Sequence, residues 1–153
     1  ESIEPGQVLM LKGAIQGGYV QYVAPQVRGL TSLNVEARAR VRDPETRYLL
    51  LDEGRNPVMK PVPGDPSWFE PDLEEFRDIN HLVMCPHNTD DVVLDRDLQL
   101  ELTVTELEGD PPKTGTAILV VRFACNDGTA LPMPLRCSCQ CAPESQQASC
   151  QDG

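Results

Sequence analysis

Sulfur and imidazole are the side chains here whose spacing points to chemistry. Cys137, Cys139 and Cys141 alternate, and with Cys150 they place four of the six cysteines within fourteen residues. Cys85 and Cys125 lie further back, and Cys85 sits in "HLVMCPH", between His81 and His87. Three chemistries compete for this set. Structural zinc takes four Cys or His ligands in a tetrahedron; His81, Cys85 and His87 would need tail cysteines to complete it. Thioredoxin-like redox chemistry uses Cys-x-x-Cys, which the chain lacks. Disulfides ask only for an even count and an oxidising compartment. The crowding and the even number favour disulfides, with Cys85, Cys125, Cys137, Cys139, Cys141 and Cys150 all bonded in an extracellular or cell-surface protein. Alternate residues of a strand point the same way at too wide a spacing to bond each other, so each tail cysteine must look elsewhere. The pairing stays open on sequence grounds; the preferred expectation joins Cys85 to Cys125 and pairs the tail four among themselves.

Other catalytic signatures are missing. There is no Gly-x-Ser-x-Gly, no His-Glu-x-x-His and no P-loop spacing. Trp68-Phe69 is the one aromatic pair that suits sugar stacking. Acids are abundant but unevenly placed: net charge is −11, and residues 65–97 hold ten acids against two bases. Such a chain repels phosphate backbones, so nucleic acid is not an expected partner. Clustered carboxylates suit Ca²⁺, which wants six to eight oxygens. The candidate ligands are Asp95, Asp97, Glu108 and Asp127, near the further acids Asp90 and Asp91. Arg38, Arg40 and Arg42 form a basic stripe that either docks an acidic partner or pairs with acids on a neighbouring strand. No run approaches the roughly 20 apolar residues that span a bilayer. The chain opens at Glu1 without Met or a signal-peptide pattern, which suggests a processed or excised fragment.

These groups must be positioned by short elements, because fourteen prolines and eleven glycines interrupt the chain. "SLNVEARARV" (32–41) alternates, with Leu33, Val35, Ala37, Ala39 and Val41 on one face. "LQLELTVTE" (98–106) alternates too, with Leu98, Leu100, Leu102 and Val104 inward. "RYLLLD" (47–52) is the expected neighbour of the first strand, and "EGDPPKTG" (108–115) and "NDG" (126–128) read as turns. "TAILVVRFAC" (116–125) reads as a strand buried on both faces. "MPLRCSCQC" (133–141) reads as a last strand, with Leu135, Cys137, Cys139 and Cys141 on one side. The long acidic loop 61–93 is expected to carry a short helix at 71–79, where Leu73, Phe76 and Ile79 have helical spacing. The fold expected is mainly β: an antiparallel β-sandwich over 1–136, then a disulfide-bonded Cys-rich border segment, 137–153. A small barrel is the alternative.

Residues 94–132 resemble the second half of a cadherin-type extracellular repeat. Leu94-Asp95-Arg96-Asp97 stands at the family's Leu-Asp-Arg-Glu motif, Glu108-Gly109-Asp110-Pro111-Pro112 at its turn, and Asn126-Asp127 near its calcium linker. The Cys-rich end resembles the close of a membrane-proximal cadherin repeat, and also the entry into integrin-type EGF modules. Asp97 replaces the family's Glu, Ala124-Cys125 stands where an Asp would precede the linker, and 61–91 has no counterpart. The resemblance implies a non-enzymatic adhesion or receptor module, with Ca²⁺ as its ion and another extracellular protein, or a second copy, as its partner. The alternatives are a structural spacer in a larger ectodomain, and a secreted hydrolase or metal-dependent enzyme using His81, His87 and nearby acids.

Overall fold

A computed structural model describes residues 2–14, 17–85, 93–127 and 135–143, with the backbone alone at Phe76. In chain order the strands are β1 (Val8–Met10), β2 (Lys12–Gly13), β3 (Tyr19–Val23), β4 (Val27–Arg28), β5 (Val35–Arg42), β6 (Leu49–Arg55), β7 (Met59–Val62), β8 (Asp65–Pro71), β9 (Asn80–Cys85), β10 (Asp97–Glu106) and β11 (Thr114–Ala124). The main sheet runs β1-β11-β10-β5-β6. Two smaller sheets, β2-β3-β9 and β4-β8-β7, supply the groups that pack on its inner face.

Period-two patterning explains the centre of this sheet. Along β5 every odd residue from Val35 to Val41 is fully buried, and every even residue is half-buried on the opposite face. Ala39 and Val41 share one core cluster with Leu98 and Leu100 of β10 and with Leu82 and Met84 of β9. Val35, Val104 and Met59 form a second, smaller cluster, flanked by Phe69 of β8. The turn into β6 is held by Asp43, whose Oδ1 accepts from the amides of Glu45 (3.0 Å) and Thr46 (2.8 Å).

Several expectations are corrected. Leu33 precedes β5 and is exposed rather than inward. Strand β1 pairs parallel with β11, so the sheet is not purely antiparallel. The stretch expected as a loop over 61–93 is largely structured: β7 and β8 form a hairpin turning at Gly64 (φ +88°), and β9 follows. Pro61 is tolerated because β7 is the edge of its sheet. The helix expected at 71–79 shrinks to one 3-10 turn, Phe76–Asp78, preceded by Asp72, whose Oδ1 accepts from the Glu74 amide. Strand β11 is buried on one face only: Val121 and Phe123 are inward, while Ile118 and Val120 are exposed. The second sheet layer covers the inner face alone. The cysteine-rich segment is a helical turn, α1 (Cys137–Gln140), not a strand. Cys137 and Cys141 belong to the main core cluster, so the described part of that segment is built into the sandwich rather than appended to it. Gly128 of the expected "NDG" turn lies outside the described residues.

Candidate interaction surface

Cysteine is the first residue type to place. Cys85 at the end of β9 bonds Cys141, and Cys125, just after β11, bonds Cys137; Cys139 is disulfide-bonded as well. The expected Cys85–Cys125 pair is therefore wrong. The reason is local: Cys137 and Cys141 are four residues apart, one helical turn, so both face inward together and each meets a different strand end. Their Sγ atoms are 3.8 Å apart. Asp127, a candidate calcium ligand, instead accepts from the Ser138 amide at the start of α1 (3.0 Å). Tyr19 Oη donates to the Leu135 carbonyl (2.9 Å) and ties the same segment to β3. Among the described residues, Cys125, Cys137 and Cys141 are the one group of three or more metal-ligand side chains, their Sγ atoms lying within 4.8 Å of one another. A metal takes sulfur as thiolate, and all three sulfurs are committed to disulfides. His81 packs edge-on against Tyr22, ring centroids 5.0 Å apart; His87 and Cys150 lie outside the described residues.

The four calcium candidates are not gathered. Asp97 begins β10 and Glu108 follows its end, so about 30 Å of continuous strand separates them. Ligands of one Ca²⁺ lie about 2.3–2.6 Å from it. Asp97 pairs with Arg122 at 2.7 Å. Glu108 accepts from Asn34 Nδ2 (3.1 Å) and Ser32 Oγ (3.3 Å). Asp95 takes a left-handed conformation (φ 56°), so it does not continue the strand face of Asp97. Asp90 and Asp91 lie outside the described residues.

Sequence reasoning passed over the most closely bound carboxylate. Glu106 ends β10 on the inward phase of Leu98, Leu100 and Val104, and it is buried. Its carboxylate accepts from the amide and hydroxyl of Thr31, the Ser32 amide (3.1 Å) and the Lys113 amide (3.2 Å). One side chain thus holds the 29–34 and 109–113 loops together. A charged residue on the buried phase was the available signal, since a buried charge must be bonded. The Thr31 amide, followed by those of Ser32 and Lys113, draws its pKa from 4.5 down to about 2 against the opposing cost of burial. The folded pKa is the lower one. Glu106 therefore stabilises fully above pH 4.5, and that contribution is lost as pH falls from 4.5 through 2. Thermal melts should show Glu106→Gln melting lower than wild type at pH 7, with a shallower loss between pH 4.5 and 2. Parallel acid limbs for the two proteins would refute this role.

The outer face of the main sheet has two halves. On β5, β6 and β10 the basic stripe is paired within the fold. Arg38 grips Asp52 with two bonds (2.6 and 3.0 Å), Arg40 reaches Glu101 (2.8 Å) and Asp52 (3.4 Å), and Arg42 reaches Glu101 (3.5 Å). Paired bonds from Arg38 lead the causes that lower the Asp52 pKa. Three bases and the acids Glu36, Asp52 and Glu101 make this half electrically balanced, which leaves little free charge for an acidic partner. On β1 and β11 the same face carries Val8, Met10, Ile118 and Val120, all exposed, between 38% and 54%, with the ion-paired Arg122 beside Val8. Thr103 with Thr116 and Thr105 with Thr114 continue it in hydroxyl pairs at 3.3 and 3.1 Å.

Comparison with protein-family models, curated proteins and solved structures returns no match. The reading of function therefore rests on the chain itself. Trp68, the sugar-stacking candidate, has the Arg28 guanidinium 5.5 Å from its ring centroid. That places a cation over an indole, an arrangement that stabilises the β4–β8 pair from within. The apolar strip beside a balanced ladder is the feature of this surface that points outward.

Proposed function

We propose that this chain is an extracellular, disulfide-stapled β-sandwich module that works by contacting another protein. The observation that carries it is the apolar strip of Val8, Met10, Ile118 and Val120 on the outer face of the main sheet. Scattered apolar residues are ordinary on any surface; contiguous ones mark contact sites. Paired cysteines support an oxidising compartment. No described helix is long and apolar enough to cross a membrane. Calcium is left out of the reading, since its four candidate ligands are dispersed or already bonded. A hydrolase built on His81 has no observation to carry it. A spacer has no need of an exposed strip.

The test pairs chemistry with binding. Denatured, unreduced protein should titrate with essentially no free thiol. The oxidised chain should then be screened by surface plasmon resonance against a panel of ectodomains. Val8→Asp with Ile118→Asp should weaken any interaction found at least about tenfold, and Arg38→Ala should leave it nearly unchanged. Binding that ignores the double substitution refutes the surface assigned here. A panel without any partner favours the spacer.

A further inference from the structure

Strand β11 is eleven residues long, and β1 pairs only with its last part, Arg122–Ala124. Among the described residues, no strand pairs on that side with Thr114–Leu119. Hydrogen bonds show which backbone groups are left open. Gly6 N donates to Val120 O (2.6 Å) and Arg122 N to Gln7 O (3.0 Å), so the even residues of β11 turn their N–H and C=O away from β10. By the same alternation Thr114, Thr116 and Ile118 present theirs to the open edge. In its own sequence this edge lacks the usual protection. Between Lys113 and Arg122 there is no charge and no proline, and the residues are Thr, Gly, Ala, Ile, Leu and Val. The opposite edge of the sheet differs: β6 carries Asp52, Glu53 and Arg55, and the Glu53 carbonyl accepts from Asn80 Nδ2 (3.2 Å).

We propose that a second copy of this chain pairs with the open edge of β11, antiparallel about a two-fold axis near Thr116. This rests on the reading of the module as a protein-contact domain and adds to it a contact with a second copy, through the sheet edge rather than the outer face. The register follows from the open groups. Centred on Thr116, the pairing sets Thr116 against its own copy and Thr114 against Ile118 of the second copy. All the open groups are then used, in about six hydrogen bonds. The pairing stops where the Gly6–Val120 bond begins, so β1 is not displaced. A chain of net charge −11 resists meeting itself, yet this segment brings no like charges opposite each other. The two outer faces become continuous, and each Ile118 gains Thr114 of the second copy as a neighbour on that face.

Sedimentation velocity of the oxidised chain, from about 1 to 300 µM, should show a concentration-dependent dimer. Hydrogen exchange at the Thr116 and Ile118 amides should slow as concentration rises. Thr116→Pro removes an open-edge N–H along with the hydroxyl contact to Thr103, and Ile118→Lys places a charge on the exposed face; each should raise the dimer dissociation constant at least about tenfold. A second variant of different chemistry guards against misfolding of either one. A wild-type monomer throughout, or a dimer indifferent to both substitutions, overturns the pairing. Val8→Asp alone keeps the two readings apart, because Val8 lies on β1, outside the paired edge, so its effect on binding a foreign ectodomain reports the outer face only. Thr116 and Ile118 amides protected in a monomer only by such an ectodomain would give the edge to a foreign strand and also overturn the proposal.

Discussion

Replacing Cys85 and Cys141 together by Ala should cost about 4 kcal/mol of stability, and replacing Cys125 and Cys137 about 3. Both figures follow from the loops the bonds close. The first bond spans 56 residues of sequence and the second 12, and the unfolded chain loses more freedom when a longer loop is closed. Location matters too. Cys85 and Cys141 are both buried in the main cluster, so the longer bond ties α1 to β9 through the core. Urea unfolding of the two double variants, read by the shift in midpoint at constant m-value, gives the order. If the shorter bond proves the costlier, chain entropy is not what these staples supply. Reduction of wild type should cost at least as much as the larger single loss.

Phe123→Ala is expected to destabilise by about 3–5 kcal/mol, against less than about 1 for Ile118→Ala. The two residues share β11 but face opposite ways. Phe123 has no solvent exposure, stands beside Leu9 of β1 in register, and its carbonyl accepts from the Asp95 amide (2.9 Å). Its removal empties the centre of the main cluster. Ile118 is 54% exposed on the outer face, so its truncation removes little buried area. Thermal or chemical unfolding of both variants checks the contrast. Equal losses would mean that the outer face of β11 is covered in solution; the measurement belongs at low micromolar protein, where pairing of the strand edges adds no stability of its own.

How much was legible depends on the kind of signal. Alternation at 35–41 and 98–104 gave away β5 and β10 because one face of each meets a core and the other meets water. That same logic failed at "TAILVVRFAC". An apolar outer face reads like a buried one, and nothing along the chain says how many layers a sheet will have. It failed again at 137–141, where the period of two suits a strand, while Cys137 and Cys141 also lie one helical turn apart. Packing chose the helix, since that geometry brings the two sulfurs within 3.8 Å of each other, where one meets Cys125 and the other Cys85. Glu106 was visible as a charge on the buried phase, but its partner Thr31 is 75 residues away in sequence and meets it only at the sheet's end.

What the sequence determined by itself is the class of protein: period-two patterning, frequent Pro and Gly, and an even, crowded set of cysteines require a disulfide-bonded β domain, because those properties are local or compositional. What only the tertiary structure decided is every relation between separated residues. It set Glu108 apart from Asp97 at the far end of the ten-residue β10, and it committed Asp97 to Arg122 and Asp127 to the Ser138 amide. It absorbed Arg38, Arg40 and Arg42 into pairs with Asp52 and Glu101 by placing β6 and β10 on either side of β5. It joined Cys85 to Cys141, and among the described residues it left Thr114–Leu119 of β11 unpaired on the side away from β10, because β1 is too short to reach them. Register and strand length are set by the summed packing of the whole core, and no window of sequence contains that sum.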